Sequence, residues 1–305
     1  MASISFLTRG AAWALLVAIC GVAQAGPLGA ALDGGDGMDA AVAAAPLPAS
    51  VRVLRDQPYG PHPRQRMDVY LPPHAHDAPV LFMVHGGAWR VGDKAHASVV
   101  HNKVVRWVPQ GVVLVSVNYR MLPEAAPLEQ ARDVARALAQ AQRLAPQWGA
   151  QPGRFVAMGH SAGAHLVALL AAAPALWQAQ GAGPVRATVA LDSAVYDVAE
   201  AMRRPHLRLY DAAFGSDPAQ WAPVSPVQQL RQAGVPLLAV CSTRRRAACA
   251  QAEGFAAQAR ALGMRVQVLG QDLSHGEINA SLGRDGPYTD AVEAFLRSVD
   301  AKMLP

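Results

Sequence analysis

The sequence predicts an α/β protein with a mostly parallel, doubly wound central sheet and helices on both faces. Short, continuous apolar runs, such as residues 80–84 and 237–240, are typical of strands that are buried on both sides. Helical patterns alternate with these runs, as a parallel sheet requires. The 305 residues are 52% hydrophobic and only 16% charged, which allows a large core and excludes a disordered chain.

The first 25 residues have the features of an export signal. Arg9 provides a positive charge, residues 11–22 are apolar, and Ala23-Gln24-Ala25 is a small-residue cleavage site. The apolar stretch is short for a membrane-spanning helix, and an uncleaved anchor is the alternative. We therefore expect a periplasmic or secreted protein with no stable membrane span after cleavage of the signal.

Residues 26–50 are predicted to form a flexible linker, because they are rich in Ala and Gly and contain almost no large apolar side chains. Residues 51–305 then suit one α/β domain. The formal charge of +5 is spread along the chain, and aromatic residues make up only 6%. This composition does not suggest a protein that stacks nucleic-acid bases, and we expect no nucleic-acid partner. The oligomeric state does not follow from the sequence.

Eight strands and four helices are predicted in this domain. The strands are residues 51–54, 66–71, 80–84, 112–117, 155–158, 185–191, 237–240 and 265–269, and the helices are residues 128–144, 162–173, 251–262 and 288–299. A long segment, residues 193–235, separates the sixth and seventh strands and predicts a small insertion. Its large apolar side chains could form a cap over a substrate, or they could belong to the hydrophobic core. The second interpretation is favoured.

The loop after the strand at 155–158 contains Gly159-His160-Ser161-Ala162-Gly163, a G-x-S-x-G pattern. A buried strand before it and an Ala/Leu-rich helix after it are the setting in which this pattern places a nucleophilic serine on a sharp turn. The close neighbours of such a turn must be small, which the two glycines satisfy. Ser161 is therefore the candidate nucleophile.

Two further loops complete the candidate site. The strand at 80–84 leads into His85 and then Gly86-Gly87, whose N–H groups could form an oxyanion hole together with that of Ala162. His275 lies in the loop after the last strand and before the final helix, which is the right place for a base that reaches back to the serine.

Two cysteines, Cys241 and Cys249, remain after the predicted cleavage. An even pair in an exported protein predicts a disulfide, and two buried thiols are the alternative.

These motifs resemble those of the α/β-hydrolase superfamily, and more narrowly of the HGG-motif esterases, the hormone-sensitive-lipase-like and BD-FAE (feruloyl-esterase-like) group. The resemblance covers nearly all of residues 51–305. It rests on residues 67–72, 85–89, 117–120, 159–163 and 221–226. It implies serine ester hydrolysis through an acyl-enzyme, with Ser161 as nucleophile, His275 as base, a small-molecule ester as substrate, and no cofactor or metal.

The chain departs from this group at the catalytic acid. In most relatives the acid follows the strand that is here residues 237–240, but the loop 241–249 contains no Asp or Glu. Asp192, directly after the preceding strand, is the favoured replacement. Asp272 and no acid at all are the alternatives, and Asp197 is expected to cap or brace its loop.

Three functions therefore stay open. An exported serine carboxylesterase that acts on small or aromatic acyl esters is favoured. A feruloyl- or polyester-type hydrolase would use the same chemistry. A catalytically weak binding protein on the hydrolase fold is the third, and it would gain if no carboxylate lies within hydrogen-bond reach of His275.

Overall fold

The computed structural model describes Met1, residues 45–193 and residues 195–304. The predicted export signal and most of the predicted linker lie outside these residues. At the end of the predicted linker, Leu47 packs against the core, and the Val51 N–H donates a hydrogen bond to the Pro48 carbonyl at 2.9 Å. The packed domain therefore includes Leu47.

The described residues form an eight-stranded sheet in the order β1-β2-β4-β3-β5-β6-β7-β8. The strands are β1 (Arg52–Pro58), β2 (Arg66–Leu71), β3 (Ala78–Val84), β4 (Val113–Val117), β5 (Ala150–His160), β6 (Ala187–Leu191), β7 (Leu237–Ser242) and β8 (Val266–Gln271). Only the β1–β2 and β2–β4 pairs are antiparallel. The other five pairs are parallel, which confirms the predicted fold class.

The helices lie on both faces of the sheet. They are α1 (Ala97–Trp107), α2 (Pro127–Leu144), α3 (Ala162–Ala172), α4 (Pro174–Gln178), α5 (Val198–Met202), α6 (Arg208–Phe214), α7 (Pro226–Gln229), α8 (Arg246–Ala261), α9 (His275–Ser281) and α10 (Pro287–Val299). Short 3₁₀ turns cover Val108–Gln110, Ala145–Trp148, Pro218–Gln220 and Ala222–Val224.

Alternate residues of the central strands supply the two sides of the core. In β3, which is buried along its whole length, Phe82 packs into the cluster with α2 and α3, and Met83 packs into the cluster with α1, α9 and α10. Helix α8 packs with α3 and β7 in a third cluster that contains Phe255. A sheet covered on both faces leaves its strand ends as the exposed place for a site.

The insertion between β6 and β7 contains α5, α6, α7 and two of the 3₁₀ turns. Phe214 and Trp221 are 3% and 7% exposed and belong to the main core cluster, as the core interpretation of this segment expected. The Phe214 ring packs edge-on against Trp89 at a centroid distance of 4.9 Å. The insertion is therefore anchored to the loop that follows β3.

Six of the ten helices in the described residues were not predicted from the sequence, namely α1, α9 and the four short helices α4 to α7. Helix α1 has five buried residues on one side, Val99, Val100, Lys103, Val104 and Trp107, but no side chain caps its start. Helix α9 begins at His275, which was expected in a loop. This start is set by a capping box, in which the Ser274 hydroxyl accepts from the Glu277 N–H while the Glu277 carboxylate accepts from the Ser274 N–H.

Candidate active site

Ser161 lies between the end of β5 and the start of α3, near the centre of the sheet. Its backbone has φ 54° and ψ −117°, in the left-handed range that side chains other than glycine rarely adopt. Strain of this kind persists only where the surroundings fix it. Here the Ser161 N–H donates to the Leu191 carbonyl at 3.0 Å, and the Ser161 carbonyl accepts from the His165 N–H.

The glycines around this turn are required by close backbone packing. A β-carbon on Gly163 would lie 2.3 Å from the Val84 carbonyl oxygen, far inside van der Waals contact. A β-carbon on Gly86 would lie 3.0 Å from the Ser161 Cβ, so the backbone of Gly86 passes directly beside the candidate nucleophile. Gly87 follows with φ 113°. The loop after β3 and the N-terminus of α3 therefore meet at Ser161, as the oxyanion-hole hypothesis for Gly86, Gly87 and Ala162 requires.

His275 and Asp192 are in direct contact. The His275 Nδ1 atom lies 2.6 Å from Asp192 Oδ2. Asp192 directly follows β6, the strand beside β5, and its side chain is completely buried. Burial alone would raise the pKa of the Asp192 carboxyl, but the hydrogen bond from His275 and the charge of Arg245 outweigh it and lower the pKa to about 2. Asp192 is therefore ionised at neutral pH.

The other carboxylates weighed from the sequence lie elsewhere. The Asp272 side chain is 81% exposed, and its Oδ1 accepts a hydrogen bond from Arg244 Nε at 2.9 Å. Asp197 caps α5, where its Oδ1 accepts from the Glu200 N–H at 3.0 Å. Of the three carboxylates, Asp192 is the one that the structure places against the His275 ring.

His160, next to the candidate nucleophile in the chain, links it to the His275 region. Its Nε2 lies 2.9 Å from the His275 carbonyl oxygen, and the two rings are 4.5 Å apart. Burial holds the pKa of His160 well below its usual value, so this ring is neutral. A neutral His160 can donate from Nε2 to the carbonyl, and this bond fixes the start of α9 against the end of β5.

Arg245 was not predicted as part of the site. Its Nη1 lies 2.5 Å from Asp192 Oδ2 and 2.7 Å from His275 Nδ1. Arg244 and Arg246, its neighbours in the chain, are exposed, whereas Arg245 is half-buried. A cation in a loop that should carry an acid gives no recognisable catalytic pattern, so sequence reasoning could not find it.

A disulfide joins Cys241 and Cys249, at the end of β7 and in the first turns of α8. The closed loop contains two groups that bind Asp192, namely Arg245 and the Ser242 N–H, which donates to Oδ1 at 2.9 Å. The disulfide therefore constrains the segment that holds the candidate acid. Within residues 45–193 and 195–304, no cluster of side chains suited to a metal ion occurs, and no helix is long and apolar enough to cross a membrane.

A mostly parallel eight-stranded sheet, with a serine on a strained turn between a central strand and its helix, defines the α/β-hydrolase fold. The BD-FAE family profile matches residues 67–244, more than half of the chain. The chain belongs to the BD-FAE family, which confirms the resemblance found in the sequence.

Curated relatives are named as esterases. A probable isoprenylcysteine alpha-carbonyl methylesterase of Arabidopsis thaliana, ICMEL2, is 33% identical over 38% of this chain and 27% of its own length. Esterase LipC of Mycobacterium tuberculosis is 28% identical over 79% of this chain and 64% of its own length. The chain thus spans less than two thirds of the length of these relatives.

Solved esterase structures share the fold. Esterase B of Lactobacillus rhamnosis superimposes with a TM-score of 0.69 at 18% identity, covering 86% of this chain and 89% of that one. Thermogutta terrifontis esterase 2 gives a TM-score of 0.68 at 19% identity, covering 85% and 98%. At these identities the likeness establishes the fold alone.

Proposed function

We propose that this protein is an exported serine carboxylester hydrolase that works through an acyl-enzyme on small or aromatic acyl esters. The contact that carries the proposal is the 2.6 Å hydrogen bond between His275 Nδ1 and the buried Asp192 carboxylate, next to the Ser161 turn. Membership of the BD-FAE family and the esterase names of the relatives support the same chemistry.

The chemistry requires one proton to move between named atoms. An Asp192 carboxylate that accepts from Nδ1 fixes the tautomer in which His275 Nε2 is free to take the Ser161 hydroxyl proton. The Ser161 oxygen then attacks the ester carbonyl and the alcohol leaves with that proton. Water, activated by the same His275 nitrogen, hydrolyses the resulting acyl-enzyme and releases the acid.

The negative charge that develops on the carbonyl oxygen needs donors close to Ser161. Gly86 lies beside the serine, and Ala162 is the first residue of α3, where backbone N–H groups and the helix dipole favour an anion. The amides of Gly86, Gly87 and Ala162 are the proposed oxyanion hole. Loss of one such donor typically lowers kcat by about 10²–10³.

Export is proposed from the leader-type sequence of residues 1–25, followed by a linker and a catalytic domain over residues 51–305. The disulfide between Cys241 and Cys249 supports it, because structural disulfides persist mainly in oxidising compartments. A small or aromatic acyl group is proposed from the apolar and aromatic side chains of the β6–β7 insertion, although these belong mainly to the core.

The first experiment is hydrolysis of p-nitrophenyl esters of increasing acyl length by the purified protein, by Ser161→Ala and by Ser298→Ala. Ser298 is an exposed serine on α10 and serves as the matched control. We expect activity in the wild type and the control and none above background in Ser161→Ala. The preferred chain length then measures the acyl pocket.

A fluorophosphonate probe tests the acyl-enzyme step directly, because it labels an activated serine covalently. Mass spectrometry should find the label on Ser161. Background hydrolysis and no labelling in the wild type would reject the proposal and favour the binding-protein alternative. That alternative would gain if no carboxylate lay within hydrogen-bond reach of His275, and the 2.6 Å contact with Asp192 Oδ2 supports the hydrolase instead.

A further inference from the structure

We propose that Arg245 is a positioning residue for the candidate triad. Its guanidinium holds the Asp192 carboxylate in the orientation that receives the His275 Nδ1 proton. This inference rests on the proposed function, since it assigns a role within the same site. The hydrogen bonds of both Asp192 carboxylate oxygens support the inference.

Both oxygens of Asp192 are bound by the last residue of β7 and by the loop that follows it. Oδ1 accepts from the Ser242 N–H at 2.9 Å, and Oδ2 accepts from Arg245 Nη1 at 2.5 Å. The Asp192 backbone has φ 48°, a conformation that residues other than glycine rarely adopt. The backbone preference of Asp192 therefore does not produce this side-chain orientation. The carboxylate is held from the neighbouring strand instead.

Arg245 and His275 converge on the same oxygen. A guanidinium can only donate, so the short bond to Oδ2 keeps Asp192 an acceptor. Donation from His275 Nδ1 to the same Oδ2 leaves Nε2 as the acceptor that a general base needs, and this is the tautomer that the proposed function uses. Arg245 Nη1 also lies 2.7 Å from Nδ1, so the guanidinium, the carboxylate and the imidazole form one compact cluster.

The other charged and titratable groups around His275 complete this environment. The charged and imidazole groups are His160 at the end of β5, Lys103 on α1, Asp192 after β6, Arg244 and Arg245 after β7, Asp272 before α9 and Glu277 within α9. Three tyrosine phenols lie near Asp192, those of Tyr196, Tyr210 and Tyr288. Lys103 Nζ binds the Asn279 carbonyl at 2.7 Å, and Arg244 pairs with Asp272 and Glu277. Arg245 touches both Asp192 and His275.

The backbone of Arg245 is fixed at both ends. Its N–H donates to the Ser242 carbonyl at 3.0 Å, and its carbonyl accepts from the Ala248 N–H at 2.9 Å, at the start of α8. The disulfide between Cys241 and Cys249 closes the loop around it. A side chain on so constrained a segment is preorganised, which is the property that a positioning residue needs.

The test compares Arg245→Met, which keeps an unbranched apolar stem but removes the charged head group, with Arg245→Lys, which keeps the charge. Arg246→Met is the matched control on the exposed side of the same loop. For each full-length protein, kcat and KM for a p-nitrophenyl ester are measured from pH 5 to 9, together with the melting temperature.

We expect Arg245→Met to lower kcat by about 10- to 100-fold, the size of a lost hydrogen bond to a charged group, while KM changes little. Arg245→Lys should recover a large part of kcat, and Arg246→Met should match the wild type.

A purely structural role would lower kcat equally in the Met and Lys variants, together with the melting temperature, and it would overturn the proposal. An unchanged or faster Arg245→Met would also overturn it. The proton NMR resonance of His275 Nδ1–H gives a readout that needs no turnover. It should shift in Arg245→Met and disappear in Asp192→Asn even if the wild type hydrolyses no ester, which separates this proposal from the proposed function.

Discussion

The carboxylate beside His275 comes from the end of β6, while the loop after β7 contributes the groups that bind it. A parallel pairing places Leu191 and Val240 side by side, so the residues that follow these two strands emerge at the same edge of the sheet. Either strand end can therefore present a side chain to a base on α9. This equivalence is why an acid can change strands without a change of fold.

At the residue scale, Asp192→Asn should remove most of the catalytic activity. An amide in place of the carboxylate can hold the wrong tautomer of His275. The uncharged amide also no longer stabilises the imidazolium that forms during the reaction. We expect kcat for p-nitrophenyl esters to fall by up to about 10⁴, with a much smaller change in KM.

Asp272→Asn is the matched control for this prediction. Asp272 is three residues before His275 and was an alternative acid, but its side chain is exposed and bonds to Arg244. Its variant should keep the activity of the wild type. If Asp272→Asn lost activity and Asp192→Asn kept it, the assignment of the acid would be reversed.

At the element scale, the strands could be predicted from sequence because burial on both faces leaves a continuous apolar run. Strand β2 was predicted with the bounds that the structure has, Arg66–Leu71, and the other strands within a few residues at most ends. The G-x-S-x-G turn was also predictable, because close packing around Gly163 admits few other residues.

The parts that sequence reasoning missed depend on contacts between distant segments. Helix α1 is rich in β-branched valines, which weakens its local helical preference, and its stability comes from packing against α9 and α10. The start of α9 was readable from the Ser274-x-x-Glu277 capping pattern. No local pattern predicts that Arg245 meets Asp192, because 53 positions separate them.

The disulfide between Cys241 and Cys249 allows a prediction about the β7–α8 connection. It closes a short loop, so its removal should lower the free energy of unfolding by about 2–3 kcal/mol in the chain-entropy model. Urea unfolding with and without dithiothreitol measures this difference. Because the same loop carries Ser242 and Arg245, reduction should also lower kcat.

A Cys241→Ala/Cys249→Ala double variant controls for other effects of the reductant. Its unfolding midpoint and its activity should not respond to dithiothreitol. Equal unfolding midpoints for the oxidised and reduced wild type would show that the loop is held without the covalent bond.

At the scale of the whole molecule, three of the buried histidines have a lowered pKa, and they lie where the central strands meet the helices. His85 follows β3, His160 ends β5 and His165 lies on α3. Burial lowers the pKa of His85 and of His165 to about 4 and that of His160 well below its usual value. The folded protein therefore keeps all three rings neutral at a pH where the unfolded chain protonates them.

This difference predicts acid destabilisation well above the range in which carboxylates titrate. The stability contributed by these neutral rings is full above pH 6.5 and is lost as the pH falls from 6.5 toward 4, because only the unfolded chain binds the three protons. The free energy of unfolding should fall by about 3–4 kcal/mol per pH unit near pH 5, measured by urea unfolding. His165→Gln should reduce that slope by about one proton. His206→Gln should not reduce it, because a hydrogen bond to Asp211 raises the pKa of His206, so both the folded and the unfolded chain bind its proton near pH 5. A slope that stays the same in His165→Gln would show that the buried rings are not the cause.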